Sequence, residues 1–263
     1  ESVSIAEALQ EKGFLVPFEL MSTMTMDFQL MFWVIAFIIT VSVMLYIFFH
    51  AEKPWLSVFC FMTFGLFFIS MNFMRQMIAS CILLLGMRFI RKNQFLPYLV
   101  LVIFATTFHV SALLMIPFYF ILRIKLTGKV MIAYSVVTVL AFVFSQMVLD
   151  FFNDYIYKGY TITNPEVTNG TNPIYTIFFL AFFILAFAVR KELMKTDEFN
   201  NVLLNCMFFT VFFEIMGVRH AILSRFSLLF FIPAIVIPVP RVIIIIVNKI
   251  SNKFINVICY ILT

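Results

Sequence analysis

A bundle of membrane-spanning α-helices is the fold class this sequence predicts, and three observations predict it. Apolar residues make up 63% of the chain and charged residues 12%, against about half and about a quarter in soluble domains. Mean hydropathy is +1.07. The polar breaks between long apolar runs are short and mostly basic, the pattern of cytoplasmic loops in a polytopic membrane protein. The expectation is a single all-α transmembrane domain over 1–263.

The elements follow in order. Residues 1–28 are acidic, with Glu1, Glu7, Glu11, Glu19 and Asp27 against Lys12. They are too polar to span and are expected to lie on the outer side, with room for a short surface helix. About nine spans follow, at 29–49, 55–71, 75–90, 95–108, 111–122, 129–149, 173–189, 201–216 and 221–238, on a requirement of roughly 20 residues relaxed for tilted or broken helices. The segments 95–108 and 111–122 are short and bracketed by Pro97 and Pro117. They read either as two spans or as one broken or re-entrant pair, which needs protein or a cavity to cover its backbone. Between 149 and 173 lies the longest outer loop, at 150–172, rich in Tyr, Asn, Thr and Gly. Its aromatic residues suit an interfacial belt or, alternatively, a lid over sugar, and Asn169-Gly170-Thr171 matches a glycosylation sequon. After Arg241 the apolar run VIIIIV is interrupted by Asn248, Lys249, Asn252 and Lys253. A start without Met and an apolar end, FINVICYILT, suggest a piece of a longer protein.

Charge sets the orientation. With residues 1–28 outside and spans alternating, the inner loops collect Lys53, the 88–92 turn, the 123–129 turn, the 190–195 segment and the tail from Arg241. These hold 13 of the 18 basic residues. The outer side keeps Lys12, Arg75, Lys158, Arg219 and Arg225. Acidic residues divide the other way, nine outside and four inside. That asymmetry accounts for the net charge of +5 without any nucleic-acid partner. Cys60, Cys81, Cys206 and Cys259 all lie in apolar runs without CxxC spacing, and read as small buried hydrophobes. The scarcity of Gly, seven residues against 37 Phe, limits small-residue helix packing.

The outer arginines are the exceptions to the charge rule. Asn72 to Pro117 holds two apolar segments joined by the basic turn Arg88–Gln94. Antiparallel, they bring Arg75 and Gln76 to the same end as His109 and Ser111. Arg219, His220 and Arg225 open a later span, and Ser111 is placed to cap a helix from Ala112. Guanidinium groups hold phosphate oxygens bidentately and stay charged, so an outer anion site is expected. A single interfacial arginine or histidine is ordinarily structural, since snorkelling removes much of the cost of its charge; the grouping carries the functional reading. Glu214, deepest of the outer acids, is expected to pair with an arginine, and His50 to lie at the inner interface. No HExxH, nucleophile elbow, Walker loop or GxGxxG occurs, and no metal or cofactor is expected.

At MNFMRQMIA, FATTFHVSALLMIPFYF and SRFSLLFFIP the chain resembles the EpsG family of bacterial exopolysaccharide and O-antigen (Wzy-type) polymerases. The matching positions are Asn72, Arg75, Gln76 and Ala79; Phe108, His109, Ser111, Ala112 and Leu113; and Arg225, Phe226 and Pro233. Glu11-Lys12-Gly13-Phe14 and Trp55-Leu56-Ser57 also resemble family elements. The resemblance implies a glycosyltransferase that moves the growing glycan from its polyprenyl pyrophosphate to an incoming lipid-linked repeat unit, on the outer face of the bacterial cytoplasmic membrane. It implies catalytic roles for His109, Arg75 and Arg225, and substrate contacts for Asn72, Gln76, Ser111, Arg219, His220 and Glu214. Its partners are a polyprenyl-pyrophosphate-linked oligosaccharide, membrane lipid and other polysaccharide assembly and export proteins. Two other classes fit the same arginines: a transporter or flippase of a lipid-linked glycan, and a non-catalytic subunit of an export complex.

Overall fold

A computed structural model describes residues 12, 13, 16, 19, 23, 28–155 and 169–262. Of the expected surface helix within 1–28 only residues 12, 13, 16, 19 and 23 are described, and they are helical; the middle of the 150–172 loop, with its aromatic lid, lies outside the described residues. Every regular element among the described residues is helical.

Helix α1, Phe28–His50, is the longest uninterrupted apolar helix. Only 28% of its apolar window is buried, and Trp33, Phe37, Phe48 and Phe49 face outward. Such a surface would be a liability in water; it matches lipid chains. Pro54 opens α2, Pro54–Thr63, in the first turn, where its missing N–H costs nothing. Gly65 then takes φ 73°, a left-handed conformation costly for any residue with a Cβ. There the chain bends by 54° into α3, Leu66–Asn72.

Helix α4, Met74–Arg91, is followed by α5, Phe95–Thr106, a 3-10 helix Val110–Leu114, and α6, Met115–Ile121. At 1.5 Å per residue α5 rises about 18 Å, short of the hydrocarbon thickness of about 30 Å. Its arm and the returning α6 pack as a hairpin, with Tyr98 OH donating to Met115 O at 2.9 Å. The described geometry therefore has the short lengths of the broken or re-entrant alternative. Helices α7, Gly128–Val143, and α8, Ser145–Tyr155, meet at 79°; α9, Pro173–Ala188, and α10, Arg190–Thr196, meet at 69°. Helix α11, Asn200–Gly217, is straight. The last stretch runs through α12, Ala221–Ser224, a 3-10 turn Arg225–Ser227, and α13, Leu228–Ile235, which contains Pro233; it then bends by 46° into α14, Pro238–Leu262.

Among the described residues two helices can cross a membrane unaided by length and composition, α1 and α11, and up to six crossings arise if each bent pair is one span. The expectation of nine crossings is thus met in helical segments but not in full-length spans. Two physical reasons separate the numbers. Helix α4 has 18 residues but carries Arg75, Arg88 and Arg91, and the hairpin arms are too short.

Helix α11 is the centre, 83% buried, with α9, α12 and α13 packed around it; α4 packs against α5 and α13. Phenylalanines fill the interior in place of small residues. Phe118 meets Phe209 at 4.6 Å and Phe230 at 4.8 Å, and Phe213 stacks on Phe230 at 5.9 Å, centroid to centroid. Offset and edge-on rings of this kind add about 0.5–1.5 kcal/mol per pair beyond burial. Cys60, Cys81 and Cys206 are buried free thiols, as expected; the side chain of Cys259 lies outside the described residues.

The bundle has two polar ends. At one, Arg241 pairs with Glu52 at 3.1 Å and reaches Asn200 Oδ1 at 2.5 Å, Lys249 pairs with Glu192 at 2.6 Å, and Arg91 with Asp197 at 3.3 Å. His50 stacks on Tyr46 there, and its backbone oxygen accepts from Arg241 at 3.4 Å. These contacts join the loop after α1, the end of α4, the 190–200 segment and the tail, all expected on the inner side; the 123–129 turn, the fifth, is held instead by Asn201 and Asn205. At the opposite end the turn after α5, the start of α4, Arg225 and the segment 169–171 come together.

Candidate functional site

The second end is built around the first turn of α4. Gln76 is buried there, and its Nε2 donates to the backbone oxygen of Arg225 at 2.6 Å. One turn on, Ser80 Oγ donates to Leu228 O at 3.1 Å. The 3-10 turn Arg225–Ser227 supplies the first of these carbonyls, and the residue that follows it, the first of α13, supplies the second. Gln76 and Ser80 are thus polar residues at a helix–helix seam, each satisfied by the neighbouring backbone.

Arg225 lies with its guanidinium 5.1 Å from the centroid of the Phe73 ring. Stacking on an aromatic face leaves the edge donors of a guanidinium directed outward. Phe73 is the residue between α3 and α4, with φ −111° and ψ 47°. Asn72 and Arg75 flank it, and both are exposed. Arg75 sits in the first turn of α4, at the positive end of the helix dipole, where a cation is disfavoured by about 0.3–1 kcal/mol. A cation kept there suits an anion that both the arginine and the helix end can hold.

Arg225 also belongs to a second polar chain. Ser227 Oγ donates to the buried Glu214 Oε1 at 2.7 Å. Thr176 Oγ1 donates to Glu214 O at 3.3 Å. The expected pairing of Glu214 with an arginine is not what forms. Its carboxylate points along α11 into the seam with the 225–227 turn, and a neutral hydroxyl satisfies it at less desolvation cost than a second buried charge.

His109 takes an extended conformation, φ −157° and ψ 124°, at the N-cap of the 3-10 helix Val110–Leu114. It is half-buried. That helix packs against both α4 and α5, which brings the His109 turn to the flank of α4, as the antiparallel reading requires. Because α5 runs back along α4 with 12 residues against 18, the turn stands about one-third of the way along α4 from its start. The expected cap by Ser111 does not form. The helical turn starts at Val110, His109 occupies the cap, and Ser111 lies inside the turn with its hydroxyl buried and without a hydrogen-bond partner among the described residues. Gly13 N donates to Thr107 O at 2.9 Å, so the residue from the Glu11–Phe14 element touches this same turn.

Arg219 and His220 lie on the far side of α11. Arg219 Nη1 donates to Phe142 O at 3.2 Å and Val143 O at 3.1 Å. Those are terminal carbonyls of α7, left open by the sharp bend into α8. His220 is buried at the start of α12. The 217–221 turn is stitched to the end of the long loop: Ala221 N donates to Asn169 O at 2.9 Å and Thr171 N to Gly217 O at 2.8 Å. Gly170 is required there, since a Cβ would stand 1.8 Å from Val218 O.

The structure therefore brings Asn72, Arg75, Gln76, Arg225 and, through Ser227, Glu214 into one cluster. His109 and Ser111 stand on its flank, and Arg219 and His220 form a separate group beside α7 and the 169–171 segment. Sequence reasoning missed Phe73, Ser80, Ser227 and Thr107. Phe73 and Ser227 are each adjacent to or two residues from a predicted arginine, but nothing in a run of apolar residues marks which Phe or Ser turns inward. Among the described residues no three His, Cys, Asp or Glu side chains converge as a metal-ligand set.

A protein-family model described as the EpsG family matches residues 2–263, almost the entire chain. No curated protein matches, and no solved structure matches.

Proposed function

We propose, since the chain belongs to the EpsG family, that it is a polysaccharide polymerase of the bacterial cytoplasmic membrane. Its donor is a glycan on polyprenyl pyrophosphate and its acceptor a lipid-linked repeat unit. The observation that carries the reading is the pairing of Arg225, stacked on Phe73, with the first turn of α4, where Arg75 stands against the helix dipole. Two arginines at this polar end, opposite the basic loops, suit a pyrophosphate at the outer face.

In this mechanism the acceptor hydroxyl attacks the anomeric carbon of the donor glycan. The new bond is acceptor oxygen to anomeric carbon, and the broken bond is anomeric carbon to pyrophosphate oxygen. His109 orients the acceptor and takes its proton. Arg75 and Arg225 hold the pyrophosphate as its charge develops, with Asn72 and Gln76 fixing the start of α4. Glu214 and Ser227 hold the Arg225 turn, and Ser111 lies behind His109. Arg219 and His220 bind the glycan where the 169–171 segment closes on the 217–221 turn. The reading keeps nine membrane passages by counting α4 and both hairpin arms, with lipid or neighbouring protein covering the short arms.

A flippase needs cations between the two ends as well as at them. Among the described residues no Lys or Arg is buried in the interior, which favours transfer over transport. The test uses the purified full-length protein, a defined polyprenyl-pyrophosphate repeat unit and product resolution by length. A ladder that disappears in Arg225→Ala, Arg75→Ala and His109→Ala is expected. An intact ladder in all three would overturn the site. No ladder from the native protein, with lipid binding retained, would move the function to transport.

A further inference from the structure

The end opposite the polymerase site holds an open cleft of about 900 Å³. Arg91, Arg123, Lys125, Arg190 and Lys191 line it, with Asp197 and Glu198. Its cations come from three separate pieces of chain: the end of α4, the turn between α6 and α7, and the start of α10. Arg91 is paired with Asp197. Among the described residues Arg123, Lys125, Arg190 and Lys191 are in no ion pair. Arg123 lies over Tyr119 at 5.2 Å, and Arg190 lies over Phe187 at 4.0 Å and donates to Phe187 O at 3.0 Å. The other cations bonded across this end, Arg241 and Lys249, each have a carboxylate.

The frame of the cleft is preorganised. Asn205, fully buried, donates to Leu122 O at 3.1 Å and Ile124 O at 3.0 Å. Asn201 accepts from Leu126 N at 2.9 Å and donates to Ile124 O at 2.9 Å. Two side chains of α11 thus clamp the turn that presents Arg123 and Lys125. Asp197 accepts from Phe199 N at 3.0 Å and holds the loop before α11. The positive-inside rule asks only that basic residues lie in inner loops. It asks neither that three loops converge on one concavity nor that two asparagines of α11 hold one of them in place.

We propose that this cleft is a binding site for a ligand carrying two phosphate groups, separate from the outer pyrophosphate site. Four unpaired cations exceed what one phosphate neutralises. Arg123 and Arg190 lie over aromatic rings and bring guanidinium donors, and the two lysines add point charges. A cleft of this volume also exceeds a single phosphate. Two sources supply that chemistry at a membrane surface: a diphosphorylated lipid headgroup, as in cardiolipin, and a soluble pyrophosphate or nucleoside diphosphate. The proposal does not rest on the polymerase reading.

The test is binding to the full-length protein in phosphatidylcholine nanodiscs. One arm adds cardiolipin at a few mole per cent, with phosphatidylglycerol at twice that amount as the single-phosphate control, and reads bound lipid by native mass spectrometry. The other arm titrates pyrophosphate and a nucleoside diphosphate and reads thermal stabilisation. Retention of cardiolipin over phosphatidylglycerol assigns a lipid; stabilisation by the soluble probes assigns a soluble ligand. In either arm Arg123→Gln with Lys125→Gln, and separately Arg190→Gln with Lys191→Gln, is expected to weaken binding by about tenfold or more. Lys249→Gln, at the same end outside the cleft, is expected to leave it unchanged. Binding in neither arm, equal retention of both lipids, or equal loss with Lys249→Gln would overturn the proposal. Polymer ladders from the same variants keep its failure distinct from failure of the outer site.

Discussion

The cluster proposed as the polymerase site is decided by single polar contacts in apolar surroundings, and each makes a measurable claim. Gln76→Leu removes the donor to Arg225 O while keeping similar bulk. It is expected to cost about 0.6–2 kcal/mol of stability, the range for a seam hydrogen bond in a membrane bundle, and to lower polymerisation further by releasing Arg225. Thermal unfolding in detergent and product ladders measure the two effects. Arg225→Lys is expected not to rescue Arg225→Ala, because an ammonium neither stacks on Phe73 in the same way nor presents a fork of donors. Glu214 is separable from these. Glu214→Gln retains an acceptor for Ser227 Oγ, so stability should hold and activity should persist if the carboxylate only braces the turn. Ser227→Ala leaves that acceptor buried and unmet, at about 1–3 kcal/mol. A collapse of activity in Glu214→Gln with stability intact would instead make Glu214 part of the chemistry.

At the scale of elements, breaks matter more than helices. Gly65 stands at φ 73° with nothing within 4 Å of where a Cβ would sit. Gly65→Ala therefore meets strain alone, about 1–2 kcal/mol, and should leave the polymerase site intact. Gly170→Ala meets backbone: Val218 O at 1.8 Å. Its 169–171 segment must separate from the 217–221 turn, so glycan length is expected to change more than thermal stability does. Comparing the two variants for stability and for polymer length distribution checks this ordering. The 3-10 turn Arg225–Ser227 and the hairpin end at His109 are irregularities of the same kind, and both stand at the site. The break between 108 and 111 was expected from the sequence; the 3-10 form of either turn was not. Hydropathy marks where a segment is apolar, not which residue starts the helix, and a shift of two residues moved Ser111 from the cap to the interior of its turn.

At the scale of the molecule, two polar ends are joined by an interior of phenylalanine and aliphatic side chains. Opposite sidedness of the ends follows from the charge bias and is open to test. Cysteine placed at Gln94 should react with impermeant thiol reagents only from the cytoplasmic side, and cysteine at Asn169 only from the outer side; both positions are exposed. Labelling of both from one side would overturn the orientation, and with it the placing of the polymerase site. The parity of this test does not depend on the hairpin 95–121, since both of its ends belong to the same polar face whether it crosses or turns back.

Much of this was readable in the residues alone. Composition and loop charge carried the helical membrane class, because hydrocarbon demands apolar residues everywhere and leaves the basic ones no place but the loops. The order of MNFMRQMIA, FHVSALL and SRFSLLFFIP marked the family and pointed to Arg75, His109 and Arg225. The structure alone decided what these residues touch. Arg225 stacks on Phe73 because a 3-10 turn aims it there; Glu214 takes Ser227 and not an arginine; Arg219 spends its donors on α7. The number of full-length spans also fell to geometry, since helix length and bend angle are properties of packing. Hydropathy is a sum over residues and is blind to direction, whereas a site is made of directions.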